Sequence, residues 1–186
     1  MNDLKQQRQS SNIVNQIHEL ADVDKTAYVG NGTKVWRFTH VDKYAKVGDN
    51  CSIGQGCYIA GVIGDNCRIQ NNVSVFNGVM LHSDVFIGPS VVFGNVLNPR
   101  ATTIGEARHT LIKSGVTIGA NSTIVCGVTL GEHCFVGAGS VVIRNVPPYA
   151  MVVGNPAHMI GYVCKCGKRL DGYGGKPGEL CNDCRE

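Results

Sequence analysis

One spacing constrains this chain more than anything else in it. Across residues 28–95, and again across 110–144, a large apolar residue returns at every sixth position. Val29, Val35, Val41, Val47, Ile53 and Ile59 open the series; Ile112, Ile118, Ile124, Leu130, Val136 and Val142 close it. Two residues before each stands a side chain no larger than Val, such as Ala45, Cys51, Cys57, Cys67, Val73 or Ser122. Gly follows the large residue at Gly48, Gly54, Gly64, Gly88, Gly119 and Gly137, among others. A period of six fits neither a 3.6-residue helix nor a simple hairpin, and a fixed period is read as a repeat architecture before any local propensity. Side chains alternate along a strand, so the small residue and the large one two places on share a face. Each unit is then a short strand and a corner. Three units close a triangle, and stacked triangles make an all-β parallel solenoid. The Gly after each large residue is expected to supply the backbone freedom for the bend.

The rest of the composition agrees. Aromatic content of 6% suits a narrow prism filled by Val and Ile, and a net charge of +3 with no Lys/Arg run argues against a nucleic-acid partner. No apolar stretch approaches a membrane span, and the polar N-terminus does not read as a signal peptide. With nine cysteines, an odd number, several of them in inward slots where Cys acts as a small hydrophobe, the expected compartment is the reducing cytoplasm. Residues 1–26 read as a cap or tail: Ile13, Val14, Ile17 and Leu20 have helical spacing, and a short amphipathic helix would cover the open end of the coil, with a frayed tail as the alternative. Residues 27–161 form the solenoid and 162–186 an appendage.

The period breaks twice. Ile59 to Ile63 is four residues rather than six, a trimmed corner; Phe93 to Ile112 is nineteen, an extruded loop at about 95–109. The loop carries Asn98, Pro99, Arg100, Arg108 and His109. Binding residues concentrate on loops that leave a rigid scaffold, so the second break is expected to matter more. In the appendage, Cys164 and Cys166, then Cys181 and Cys184, set two thiol pairs on two tight turns. That is the spacing of a four-cysteine zinc knuckle or ribbon, in which a closed shell of thiolates makes the metal structural.

Several segments resemble a known family: Val35-Trp36-Arg37-Phe38-Thr39-His40-Val41, Ile69-Gln70-Asn71-Asn72-Val73, Val85-Phe86-Ile87-Gly88-Pro89-Ser90, Asn95-Val96-Leu97-Asn98-Pro99-Arg100, Ile118-Gly119-Ala120-Asn121, and Val153-Gly154-Asn155-Pro156-Ala157. The set is similar to the hexapeptide-repeat acyltransferases, and within them to the nucleotide-sugar 3-N-acetyltransferases of surface-polysaccharide synthesis. The resemblance implies a left-handed parallel β-helix, a homotrimer with active sites between subunits, acetyl-CoA as cosubstrate, and a UDP- or dTDP-linked amino sugar as acceptor. It assigns Asn71 and Asn72 to the reacting amine; His82, a departure from the pattern near the same site, is a candidate catalytic base or sugar contact. It assigns Trp36, Arg37, His40, Gln70, Asp84 and Arg100 to the sugar nucleotide, and Asn98, Gly119, Ala120, Ala138, Arg144, Asn155 and Pro156 to coenzyme A. The chain also departs from that pattern: His82 and Ser83 stand where relatives often carry acids, Arg37 where they carry His, and Phe76 and Leu97 where they carry Tyr.

Three rivals follow from the same residues. His82 or His40 acting as a base would suit O-acetylation of a sugar or another small acceptor. A metalloenzyme of the γ-carbonic anhydrase type needs three His at neighbouring corners, and His82, His109 and His133 lack its spacing. A non-catalytic assembly subunit would have no use for the Asn-Asn segment or the loop.

Overall fold

The computed structural model describes residues 15–103, 105–170 and 175–185. The chain winds as a three-sided coil whose walls are sheets of nine, seven and six strands, parallel throughout except for the last strand of the first. Most strands are two residues long, and partners in the first wall advance from Lys34–Val35 to Ser52–Ile53, Arg68–Ile69, Phe86–Ile87, Thr117–Ile118 and Phe135–Val136. Every large residue of the period points inward: Val35, Ile53, Ile69, Ile87, Ile112, Ile118 and Phe93 retain 0–2% of their surface.

The inward small residues do more than leave room. Thr33 and Thr39 are fully buried, and their hydroxyls donate to the corner carbonyls of Gly48 and Gly54 in the next coil, each at 2.7 Å. The Cys51, Cys57 and Cys67 thiols reach the corresponding carbonyls of Gly64, Gln70 and His82 at 3.1–3.2 Å. A corner carbonyl has no ladder partner, and a buried one costs free energy unless paired; a short side chain with one donor satisfies it. Burial raises the Cys134 thiol to about 12. Burial also raises the Cys57 thiol, so Cys57 and Cys134 stay protonated.

The glycines after the large residues have a role other than the expected one. The positive-φ residue lies two places further on, directly before the small inward residue: Asn50 (φ 55°), Asn66 (58°), Asn72 (59°), Asp84 (62°) and Asn121 (56°). Gly88 and Gly119 instead mark close approach between coils, because a Cβ there would stand 2.6 Å from the Ala120 nitrogen and 2.4 Å from the Ala138 nitrogen. Asn and Asp are the L-residues that tolerate the left-handed region best, which accounts for their recurrence at corners.

The expected N-terminal helix is corrected where the chain is described, and residues 1–14 lie outside the described part. Gln16–Ile17 already pairs with Lys34–Val35, and Asp22–Val23 with His40–Val41. Ile17 and Val23 continue the six-residue period backwards from Val29, so the coil begins about twelve residues before residue 27. The extruded segment folds back as a two-stranded antiparallel hairpin, Val96–Leu97 against Glu106–Ala107. After Ala150–Val153 the chain reverses through a cis Asn155–Pro156 bond into the antiparallel strand His158–Tyr162 and then the tail.

Candidate functional site

Three stacked columns of corners form the edges of the prism, and half of the candidate residues outside the cysteine cluster fall on one. Its successive corners are Trp36-Arg37-Phe38, Gly54-Gln55-Gly56, Gln70-Asn71-Asn72, Gly88-Pro89-Ser90, Gly119-Ala120-Asn121 and Gly137-Ala138-Gly139. Backbone hydrogen bonds run down the column from Gly56 to Arg37, Asn72 to Gln55, Ser90 to Asn71, Asn121 to Pro89 and Gly139 to Ala120, at 2.8–3.2 Å. The edge is graded: its early end carries exposed aromatic and cationic side chains, its late end an almost bare backbone. Gln70, Asn71 and Asn72 stand exposed between the two ends. The Asn71 side-chain oxygen accepts from the Gln55 nitrogen at 3.1 Å, which fixes the amide and aims its NH₂ group outward. Asn72 holds the left-handed corner position.

The remaining candidates occupy other edges of the same protomer. His82 and Asp84 sit on the column that follows the six-stranded wall, beneath Asp65 and Asn66. His82 is exposed, and its ring makes no hydrogen bond among the described residues. Arg144 is exposed on the third column, and Asn98 and Arg100 are exposed on the hairpin that leaves it. Asn155 and Pro156 lie exposed past the last complete coil. Within one protomer, therefore, His82 does not meet Asn71 and Asn72.

His40 is better supported than its sequence context indicates. On the outer face of the seven-stranded wall its Nδ1 lies 2.7 Å from an Asp22 carboxylate oxygen, and its ring stacks on Tyr58 at 5.6 Å. The Tyr58 hydroxyl donates to Asp42 at 2.6 Å. That bond and the Lys43 backbone N–H hold the Asp42 carboxyl below its usual range. The result is an oriented imidazole flanked by two carboxylates.

A further cavity lies away from the motif residues, with His109 of the extruded loop on its wall. A recess of about 490 Å³ opens on the third edge, between the corner Asp42-Lys43-Tyr44 and the corner at Asn77-Gly78. Between those two corners the trimmed turn offers only Ala60 and Gly61, so a missing corner has become a notch. Val62, Met80 and Leu111 form its floor, and His109, at the end of the hairpin, closes one side. The four-residue spacing from Ile59 to Ile63 was the available signal for it.

Residues 109–144 match the bacterial transferase hexapeptide family (six repeats), and residues 44–77 match the hexapeptide repeat of succinyl-transferase. The chain is 43% identical over 157 residues to the dTDP-3-amino-3,6-dideoxy-α-D-galactopyranose 3-N-acetyltransferase of Aneurinibacillus thermoaerophilus, covering 83% of this chain and 81% of that enzyme. The chain belongs to the hexapeptide-repeat acyltransferases. It is also 34% identical over 123 residues to the serine acetyltransferase of Buchnera aphidicola, covering 64% of this chain and 41% of that protein. Among solved structures, LpxA, a UDP-N-acetylglucosamine acyltransferase from Bacteroides fragilis, shares its fold with a TM-score of 0.68 at 17% identity, over 80% of this chain and 61% of that one.

This acyltransferase adds a tail that packs on its own coil. The Val163 nitrogen donates to the Tyr149 carbonyl at 2.8 Å, and Gly167 and Gly178 rest near the rings of Phe135 and Tyr149. The sulfur atoms of Cys164, Cys166, Cys181 and Cys184 lie within 4.8 Å of one another, those of Cys166 and Cys181 at 3.6 Å. Zinc–sulfur bonds of about 2.3 Å in a tetrahedron put sulfurs roughly 3.8 Å apart, so the donor set fits. Backbone N–H groups of Cys166 and Cys181 lower the Cys164 thiol to about 6, and a thiolate is the form that binds metal.

Proposed function

We propose that this protein transfers the acetyl group of acetyl-CoA to the 3-amino group of a UDP- or dTDP-linked amino sugar, a precursor of lipopolysaccharide O-antigen or a related surface glycan. The observation that carries the reading is the 43% identity, spread over 83% of the chain, to an enzyme named for that reaction on a dTDP-linked sugar. The graded edge suits it. An amine is already a good nucleophile once deprotonated, so the protein's task is to hold it against the thioester and to stabilise the oxyanion. The free amide groups of Asn71 and Asn72 orient the amine. Its nitrogen lone pair attacks the carbonyl carbon, the tetrahedral oxyanion collapses, the C–S bond breaks, and the amine proton leaves to the thiolate or to solvent.

Trp36, Arg37, Gln70, Asp84 and Arg100 hold the sugar nucleotide, Arg37 and Arg100 by charge. Coenzyme A runs along the bare late half of the edge, past Gly119, Ala120 and Ala138 to Asn155 and Pro156. Asn98 and the guanidinium of Arg144 meet its phosphates. These groups stand on different edges, so the cleft is formed between protomers of a homotrimer. The enzyme works in a reducing cytoplasm, which agrees with its free cysteines. In the tail, Cys164, Cys166, Cys181 and Cys184 hold a structural zinc whose closed shell leaves no position for chemistry.

The His40–Asp22 contact favours a second reading, in which His40 as general base deprotonates a sugar hydroxyl. Thiol release from acetyl-CoA, measured against 3-amino, 4-amino and hydroxyl nucleotide sugars, separates the two. The first reading expects 3-amino acceptors to dominate and His40→Gln to keep most activity. Turnover of hydroxyl acceptors alone, abolished by His40→Gln, would establish the second.

A further inference from the structure

We infer that the notch at the trimmed corner is a nucleobase-binding site, in a place where neither the sequence motifs nor the family pattern put a binding residue. The inference rests on the reading that a nucleotide-linked substrate and coenzyme A bind this protein; each carries a base. Its first support is volume, since about 490 Å³ falls within the range of small-molecule sites and exceeds what a lone sugar fills. Its second is Tyr44. This residue occupies the left-handed corner position at φ 63° and is 74% exposed; most corners carry Asn, Asp, Ser or Gly there, and Phe38, His133 and Tyr149 are the other aromatic or imidazole rings among the described residues that share it. A bulky residue in that region is strained. His133 and Tyr149 stack on each other; Tyr44 is the strained ring that stands at the wall of the recess, where a flat ligand face can stack on it.

The third support is the arrangement of polar groups. Asp42, fixed as an ionised acceptor by Tyr58 and the Lys43 N–H, stands at one rim; Asn77 stands at the other, and the His109 ring closes the side. A base presents N–H donors beside acceptors along one edge and flat apolar faces elsewhere. It would lie between Tyr44 and the Met80 floor, with a ring N–H or amino group to Asp42 and a ring oxygen or nitrogen to the Asn77 amide. Exposed Lys43 at the mouth is positioned for the phosphates that follow. Gly61 is the buried inward residue of the trimmed turn, and a Cβ there would meet the Val79 carbonyl oxygen at 2.4 Å, so the shortened corner requires glycine.

The test is calorimetric titration of dTDP and, separately, of coenzyme A into the wild type, Tyr44→Asn and Met80→Trp. Tyr44→Asn removes the ring and relieves the strained corner, so its melting temperature should rise by about 2–4 °C while affinity falls. Met80→Trp fills the floor, with circular dichroism as the control for its fold. At least tenfold weaker binding of dTDP in both variants, with coenzyme A unchanged, supports the site and assigns it the pyrimidine. The same loss confined to coenzyme A supports it and assigns adenine. If the wild type binds both ligands and both variants bind them equally well, the notch is not a nucleobase site and the proposed reaction stands without it. If the wild type binds neither, both readings fall.

Discussion

Two edges of the prism are built from the same corner and end up unlike. On the edge through Gln55, Asn71 and Pro89 every corner is present, each is bonded to the next at 2.8–3.2 Å, and the surface is a continuous strip. On the edge through Asp42, Asn77 and Arg144, one corner is shortened to Ala60 and Gly61 and the hairpin is extruded. That edge holds the recess of about 490 Å³. A regular stack leaves backbone for a ligand to lie along; concavity comes from interrupting the stack.

The comparison can be broken most severely from the core. Phe93, fully buried at the coil where the hairpin departs, should cost about 3–5 kcal/mol when changed to Ala, read from denaturant unfolding. If the loss is under 1 kcal/mol, the interrupted edge does not rest on the same packing as the regular one. Next, Gly119→Ala on the regular edge would push a Cβ against the Ala138 backbone and should destabilise by about 2–3 kcal/mol, whereas Gly139→Ala, where nothing lies within 4 Å, suffers only the left-handed-backbone penalty of about 1 kcal/mol. Equal losses would show that coil-to-coil approach is not what selects glycine.

Sharpening the comparison takes an insertion. Two residues placed after Ala60 restore a full corner; since loop length is entropically cheap, stability should change by less than about 1 kcal/mol while the notch closes and nucleotide affinity falls tenfold or more. Retained affinity would assign the binding to the regular edge alone. The tail should show the smallest effect on the coil. Cys181→Ser, or a chelator, should remove bound zinc and leave the solenoid's circular dichroism unchanged. The Cys164 thiol is lowered to about 6 from an ordinary value near 8.5. A lowered acid stabilises the fold above its unfolded value and loses that contribution as pH falls through the folded one. Protons compete with zinc for all four thiolates, so zinc should be released as pH is lowered, measured as metal content after gel filtration.

The solenoid was legible because each corner repeats one physical requirement: Ile53, Ile69 and Ile87 are buried for the same reason, and six such residues in a row admit one periodicity. Ile17 was misread because a residue four after Ile13 and six before Val23 satisfies both a helical and a hexapeptide spacing. Gly48 was assigned the bend that Asn50 makes, since a sequence shows that glycine is needed but not whether φ or proximity needs it. Asn71 and Arg144 were proposed from motif resemblance, but that they stand on different edges depends on counting corners through both breaks. The notch was least legible. A deletion leaves no residue to point to, and its lining comes from four successive coils.

The central claim is that transfer happens in a cleft assembled from edges of different protomers. The direct measurement is complementation: Asn72→Ala and Arg144→Ala are each purified, then unfolded and refolded together, and thiol release from acetyl-CoA is compared with the same treatment of each alone. With one group on each side of a shared cleft, mixed trimers contain some clefts with both residues intact, and activity should recover to roughly a quarter of wild type or more by random assortment. A mixture no more active than its parts would contradict the account, as would a protein that remains monomeric while fully active.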